Sequence, residues 1–146
     1  MEQVLKRIPK PDIFPKVFRA YDVDRDVMYS PEELDIMGVV MSPSGKLLRN
    51  QNFEKLNLIP LYYSGKHDSV GGRPLFDGDI CKVGVKFDQG MPLLIEKYGI
   101  MRWNRNLSSF QLHILAQDPK GNYECVESEL IGNEYKDKEL LKKIMQ

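Results

Sequence analysis

The stretch Asp77-Gly78-Asp79-Ile80-Cys81-Lys82-Val83-Gly84-Val85-Lys86-Phe87 decides how this chain folds. Asp77-Gly78 is a tight-turn pair, and from Asp79 onward Cys81, Val83, Val85 and Phe87 alternate with Lys82, Gly84 and Lys86. That period of two is the pattern of a half-buried β-strand entered from a turn. The same grammar continues on the C-terminal side. Asp88-Gln89-Gly90 reads as a turn, and Leu93 to Trp103 as a long strand with Gly99 marking a bulge or bend. Phe110, Leu112, Ile114 and Ala116 alternate with Gln111, His113 and Gln117, and after a turn at Asp118–Asn122 the run Tyr123–Val126 is strand-like again. Asp137 is placed to cap a final helix that buries Leu140, Leu141 and Ile144, with Glu139 near its positive end and Lys142 and Lys143 near its negative end.

Toward the N-terminus, Pro9, Pro11 and Pro15 break the first segment into a short helical turn and an extended arm. Lys16–Tyr21 and Val27–Tyr29 read as a β-hairpin around the charged loop Asp22–Asp26, with a helix over the first run as the competing reading. Ser30-Pro31-Glu32-Glu33 then combines an N-cap serine, a proline at the first helical position and a capping glutamate, and Gly38 stops the helix. Val39 to Leu48 predicts a second hairpin around Pro43-Ser44-Gly45. The expected fold is therefore mainly β: N-terminal hairpins with a short helix, then a small SH3-like, partly open β-barrel from about Tyr62 to Tyr135, closed by a C-terminal helix. The expected organisation is an N-terminal hairpin subdomain over residues 1–60 and a barrel subdomain with the helix over 61–146.

Composition narrows the function. The 21 basic residues equal the 21 acidic ones, so no net field steers the protein toward polyanions or an acidic membrane, and any basic patch must be local. The apolar and charged fractions are those of a folding globular domain. No stretch has the length and hydrophobicity of a membrane span or a secretion signal, from which a cytoplasmic location is expected. Cys81 and Cys125 lack CxxC spacing and sit in strand patterns, so both are expected as reduced, buried thiols.

Two constellations could carry a function. Asp22, Asp24 and Asp26, with Ser30 and Glu33, fall at the ligand positions of an EF-hand calcium loop spanning 22–33. The sixth position, where glycine is needed for the sharp turn, is Val27, and a solvated acidic turn is the simpler reading. Arg102, Trp103 and Arg105, behind Lys97 and Tyr98, combine cations with aromatics suited to single-stranded nucleic acid, and are the candidate binding residues. Against that, Trp103 ends a strand-like run and reads as well as a core anchor. His67, read as a loop residue, and His113, on the polar side of its strand, lie in no nucleophile or metal motif. No catalytic residue, metal ligand or cofactor is nominated. Gly71-Gly72 lacks the lysine and helix start of a phosphate loop and reads as a flexible turn.

Several short motifs carry a further signal: Phe18-Arg19-Ala20-Tyr21-Asp22, Met28-Tyr29, Tyr63-Ser64-Gly65, Arg73-Pro74-Leu75-Phe76-Asp77-Gly78-Asp79-Ile80, and Ile131-Gly132-Asn133-Glu134-Tyr135 followed by Glu139-Leu140-Leu141. Together they resemble the YopX family of small phage and prophage proteins, from about Phe18 to Leu141. The chain departs from the family pattern at Ser64 (threonine), at Asp77 (glutamate) and in the Gly71-Gly72-Arg73 loop. The resemblance implies an accessory protein of a phage or prophage in a bacterial host. It brings no catalytic residues, and points to a protein partner or a homo-oligomer.

Overall fold

A computed structural model describes residues 17–49, 51–86, 95–115 and 124–145. The N-terminal arm, Phe87, the turns at 88–90 and 118–122 and the start of the last strand run lie outside them. In chain order the elements are β1 (Phe18–Asp22), β2 (Val27–Tyr29), α1 (Pro31–Ile36), β3 (Val39–Met41), β4 (Leu47–Arg49), β5 (Glu54–Lys55), β6 (Leu58–His67), β7 (Pro74–Phe76), β8 (Asp79–Lys86), β9 (Ile95–Asn104), β10 (Ser109–Ile114), β11 (Glu124–Asn133) and α2 (Lys138–Ile144). They form two four-stranded sheets, ordered β2-β1-β6-β7 and β10-β9-β8-β11, and a three-stranded sheet β3-β4-β5; every paired ladder is antiparallel. The chain is mainly β, with a sheet that curls into a half-barrel.

The local signals read from the sequence work as expected. β1 and β2 pair as a hairpin, Ala20 opposite Tyr29. The Ser30 hydroxyl accepts from the Glu33 amide at 3.1 Å, and the Glu33 carboxylate accepts from the Ser30 amide at 3.1 Å, a reciprocal capping box. Gly38 ends α1 at φ +72°, where a side chain would be strained.

Two apolar cores result. Leu75, Cys81, Val83, Val85, Met101 and Phe110 form one, with Tyr62, Trp103, Leu112 and Leu130 packed against it. Ala20, Leu34, Val39 and Leu47 form the other, with Met37, Met41 and Leu58 around them. β6 serves both, through Leu58 and Tyr62, and the boundary expected between residues 60 and 61 falls inside this single strand.

Three local expectations are corrected. β8 buries Cys81, Val83 and Val85, but also Ile80 and Gly84, because Ile80 lies opposite Ile100 on the second face and both are covered. Gly99 interrupts nothing: the register of β9 with both neighbours runs through it unshifted, and its missing side chain makes room for Ile114, whose Cδ1 would sit 3.2 Å from a Cβ. Register shifts lie instead in β11, at Cys125/Glu127 and Leu130/Gly132, and in β6 between Tyr63 and His67. α2 has no buried residue; Leu140, Leu141 and Ile144 are half-covered, and Leu140 rests on the backbone of Gly132, where a Cβ would come within 2.9 Å of its Cδ2.

Candidate functional site

Three of the motif segments, from β1, the β7–β8 turn and the end of β11, meet at one place. Asp79, at the start of β8, is wholly buried. Its Oδ2 accepts from the Phe76 amide at 2.7 Å, closing the β7–β8 turn, and its Oδ1 accepts from Asn133 Nδ2 at 2.9 Å. Arg19 Nη1, from β1 in the other sheet, reaches the same Oδ1 at 3.4 Å, with its guanidinium 4.0 Å above the Phe76 ring. Burial raises the Asp79 carboxyl above its ordinary range; the bonds from Asn133 and Phe76 and the charge of Arg19 oppose that rise.

The turn that launches β8 is matched to the end of β11. Gly78 has φ +85°, and a Cβ there would lie 3.2 Å from the side chains of Glu134 and Tyr135, so any other residue would be strained and crowded. The Gly78 amide donates to the Met101 carbonyl at 2.8 Å, and its carbonyl accepts from the Glu134 amide at 2.8 Å. Asn133 Oδ1 accepts from the Tyr135 amide, while Asp137 Oδ2 accepts from the Asn133 amide instead of capping α2. The Tyr135 ring lies 5.8 Å from that of Tyr21.

The acidic loop 22–26 is drawn into the same region. The Tyr21 hydroxyl donates to Asp26 Oδ1 at 2.7 Å; this bond pushes the phenol up to about 12 and lowers the Asp26 carboxyl. Lys136 Nζ donates to the Asp26 carbonyl at 2.6 Å and lies 3.5 Å from its carboxylate. Asp22 Oδ1 accepts from the amides of Asp24 and Arg25 within the turn, and Asn57 Nδ2 donates to Asp24. The would-be calcium ligands are thus divided between a hairpin turn and the α1 capping box. Among the described residues no group of three or more histidine, cysteine, aspartate or glutamate side chains is arranged to hold a metal ion.

The candidate nucleic-acid residues differ in exposure and in what they touch. Arg102 is exposed but lies against Glu134, Nη1 to Oε2 at 2.8 Å and Nη2 to Oε1 at 3.2 Å, so its charge is already matched. Trp103 is half-buried and packs edge-on against Phe110, with ring centroids 5.2 Å apart. Arg105 is exposed in the turn before β10. His113 faces solvent as expected, whereas His67 ends β6 and stands edge-on to Tyr63.

A second junction, unforeseen in the sequence, is built on Asp68, whose side chain is wholly buried. It accepts from the amides of Arg73 (2.6 Å) and Leu130 (2.9 Å) and from the Arg73 guanidinium (2.9 Å). Burial would raise its carboxyl, but these donors outweigh burial and hold it at about 2. Gly71 and Gly72 are accordingly structural: Gly72 has φ +66°, and a Cβ on Gly71 would lie 3.0 Å from Arg73 Nε. Nothing local in the sequence links Asp68 to Leu130, 62 residues away. The cysteines separate as well. Cys81 is buried and pushed up to about 12, mainly by burial, whereas Cys125 is exposed on β11.

No family model and no curated protein matches the chain.

Proposed function

We propose that this protein is a YopX-like accessory protein of a phage or prophage, working in the cytoplasm of a bacterial host through protein contacts rather than catalysis. One observation carries the reading. Four polar side chains of the motifs, Arg19, Asp79, Asn133 and Glu134, bind one another or Arg102. Residues spent on joining two sheets leave the resemblance as one of architecture, in which the working surface lies elsewhere.

The same reading takes the curled sheet as an SH3-like, partly open barrel with α2 as its lid. The meander β8–β9–β10, the doubly bulged β11 and the seat of Leu140 on Gly132 support it. The exposed surface offers apolar handles for a partner. Ile36 is 85% exposed, and Phe53, 73% exposed, is held in the left-handed region at φ +55°, a conformation unfavourable for an aromatic residue that nonetheless presents its ring to solvent. Cross-linking mass spectrometry in the bacterial host tests the proposal: reproducible links to a protein are expected, lost in Ile36→Asp or Phe53→Asp while the melting temperature stays put. An absence of protein links combined with tight, salt-sensitive binding of single-stranded DNA or RNA would move the assignment to nucleic acid.

A further inference from the structure

Among the described residues β11 is the last strand of its sheet and pairs only with β8. In an antiparallel ladder, alternate residues turn their N–H and C=O groups away from the neighbouring strand, and at an edge those groups invite another strand. On β11 two residues of this kind are Ser128 and Leu130, and both are already taken by the β6–β7 loop. The Ser128 carbonyl accepts from the amides of Ser69 (3.0 Å) and Val70 (3.1 Å), and its amide donates to Ser69 Oγ at 2.7 Å. The Leu130 amide donates to Asp68 Oδ2, and its carbonyl accepts from Arg73 Nη2 at 2.9 Å. Two residues of strand edge are therefore satisfied by a mixture of side-chain and loop groups standing where a paired strand would be.

We propose that the loop 68–73 is a resident edge guard, held closed by Asp68, which keeps β11 from pairing with the β11 of a second copy of this chain. The loop binds itself as tightly as it binds the strand: the Asp68 amide donates to the Arg73 carbonyl at 2.9 Å and the Gly72 amide to the Asp68 carbonyl at 3.0 Å. A closed turn of this kind adds no edge of its own, so the sheet ends there. The occupant of an opened edge is set by symmetry, because two identical antiparallel edges satisfy each other around a two-fold axis. Such pairing brings Glu127 and Glu129 of the two copies together, so added salt, which screens like charges, strengthens it.

The test uses the full chain. Ser69→Ala removes only the hydroxyl that accepts from the Ser128 amide, and in dilute solution the exchange of that amide with deuterium should quicken by about tenfold while the Val83 amide keeps its wild-type rate. Asp68→Ala opens the Leu130 side as well. Light scattering after size exclusion should show it assembling beyond the wild-type state as concentration and salt rise, with protection of Ser128 and Leu130 returning in the assembled fraction. If Asp68→Ala fails to fold, Ser69→Ala combined with Arg73→Ala gives the same reading. Folded variants whose Ser128 and Leu130 exchange is unchanged, or is quickened but indifferent to concentration, would overturn the proposal, as would assembly that leaves those two amides unprotected.

Discussion

Asn133 donates through Nδ2 to Asp79 Oδ1 at 2.9 Å, a buried bond between the first residue of β8 and the last residue of β11. Because Arg19 reaches the same oxygen from the other sheet, this one carboxylate joins three elements. Its second oxygen holds the Phe76 amide, so both oxygens are committed as acceptors. Asp79→Asn keeps the shape but turns one acceptor into a donor facing other donors. It should lower stability by about 2–3 kcal/mol, in the range for a charged buried hydrogen-bond partner lost, despite relieving the cost of burying a charge. Urea unfolding followed by tryptophan fluorescence measures it; a midpoint equal to wild type would show that the joint is dispensable.

Asp68 makes a prediction about acid. Its folded-state carboxyl sits at about 2, below the ordinary value of 3.8, so the stability it contributes is fully present above the ordinary value. That contribution drains away as the pH falls toward 2. Asp79, shifted upward, acts oppositely: its contribution is present below its ordinary value and is lost as pH rises through the raised one. Between pH 4 and 2 the wild type should therefore lose stability more steeply than Asp68→Ala. Parallel pH slopes for the two proteins would remove Asp68 as the cause.

Trp103 tests the nucleic-acid reading. Packed against Phe110 and half-buried, it should cost about 2–3 kcal/mol when cut to alanine, somewhat less than a fully buried aromatic. Fluorescence anisotropy of labelled single strands at low salt should show no binding for either protein. Micromolar binding by wild type, weakened in Trp103→Ala beyond its loss of stability, would return Trp103 to the surface as a stacking platform.

The two thiols should differ under native conditions. A thiol reagent is expected to modify Cys125 readily and Cys81 only when the protein unfolds, since the second is buried and held protonated. Mass spectrometry of tryptic fragments after brief labelling distinguishes them, and equal labelling at both sites would contradict the placement of β8 in the core.

What the sequence determined by itself is local. The Ser30–Glu33 box, the β1–β2 and β3–β4 hairpins and the strand launched at Asp79 rest on interactions within a few residues, and each appears where those rules place it. The short motifs also flagged Asp79, Gly78 and Asn133, but not why they matter. Tertiary structure alone decided that Arg19 would find Asp79, that Asp68 would hold Leu130, that Arg102 would be matched by Glu134 and that Cys125 would lie open. The physical reason is that partners some 30 to 60 residues apart carry no spacing signature. A period of two gives a strand its two faces, but which face is covered, and by what, depends on the strands and loops that come to lie on it.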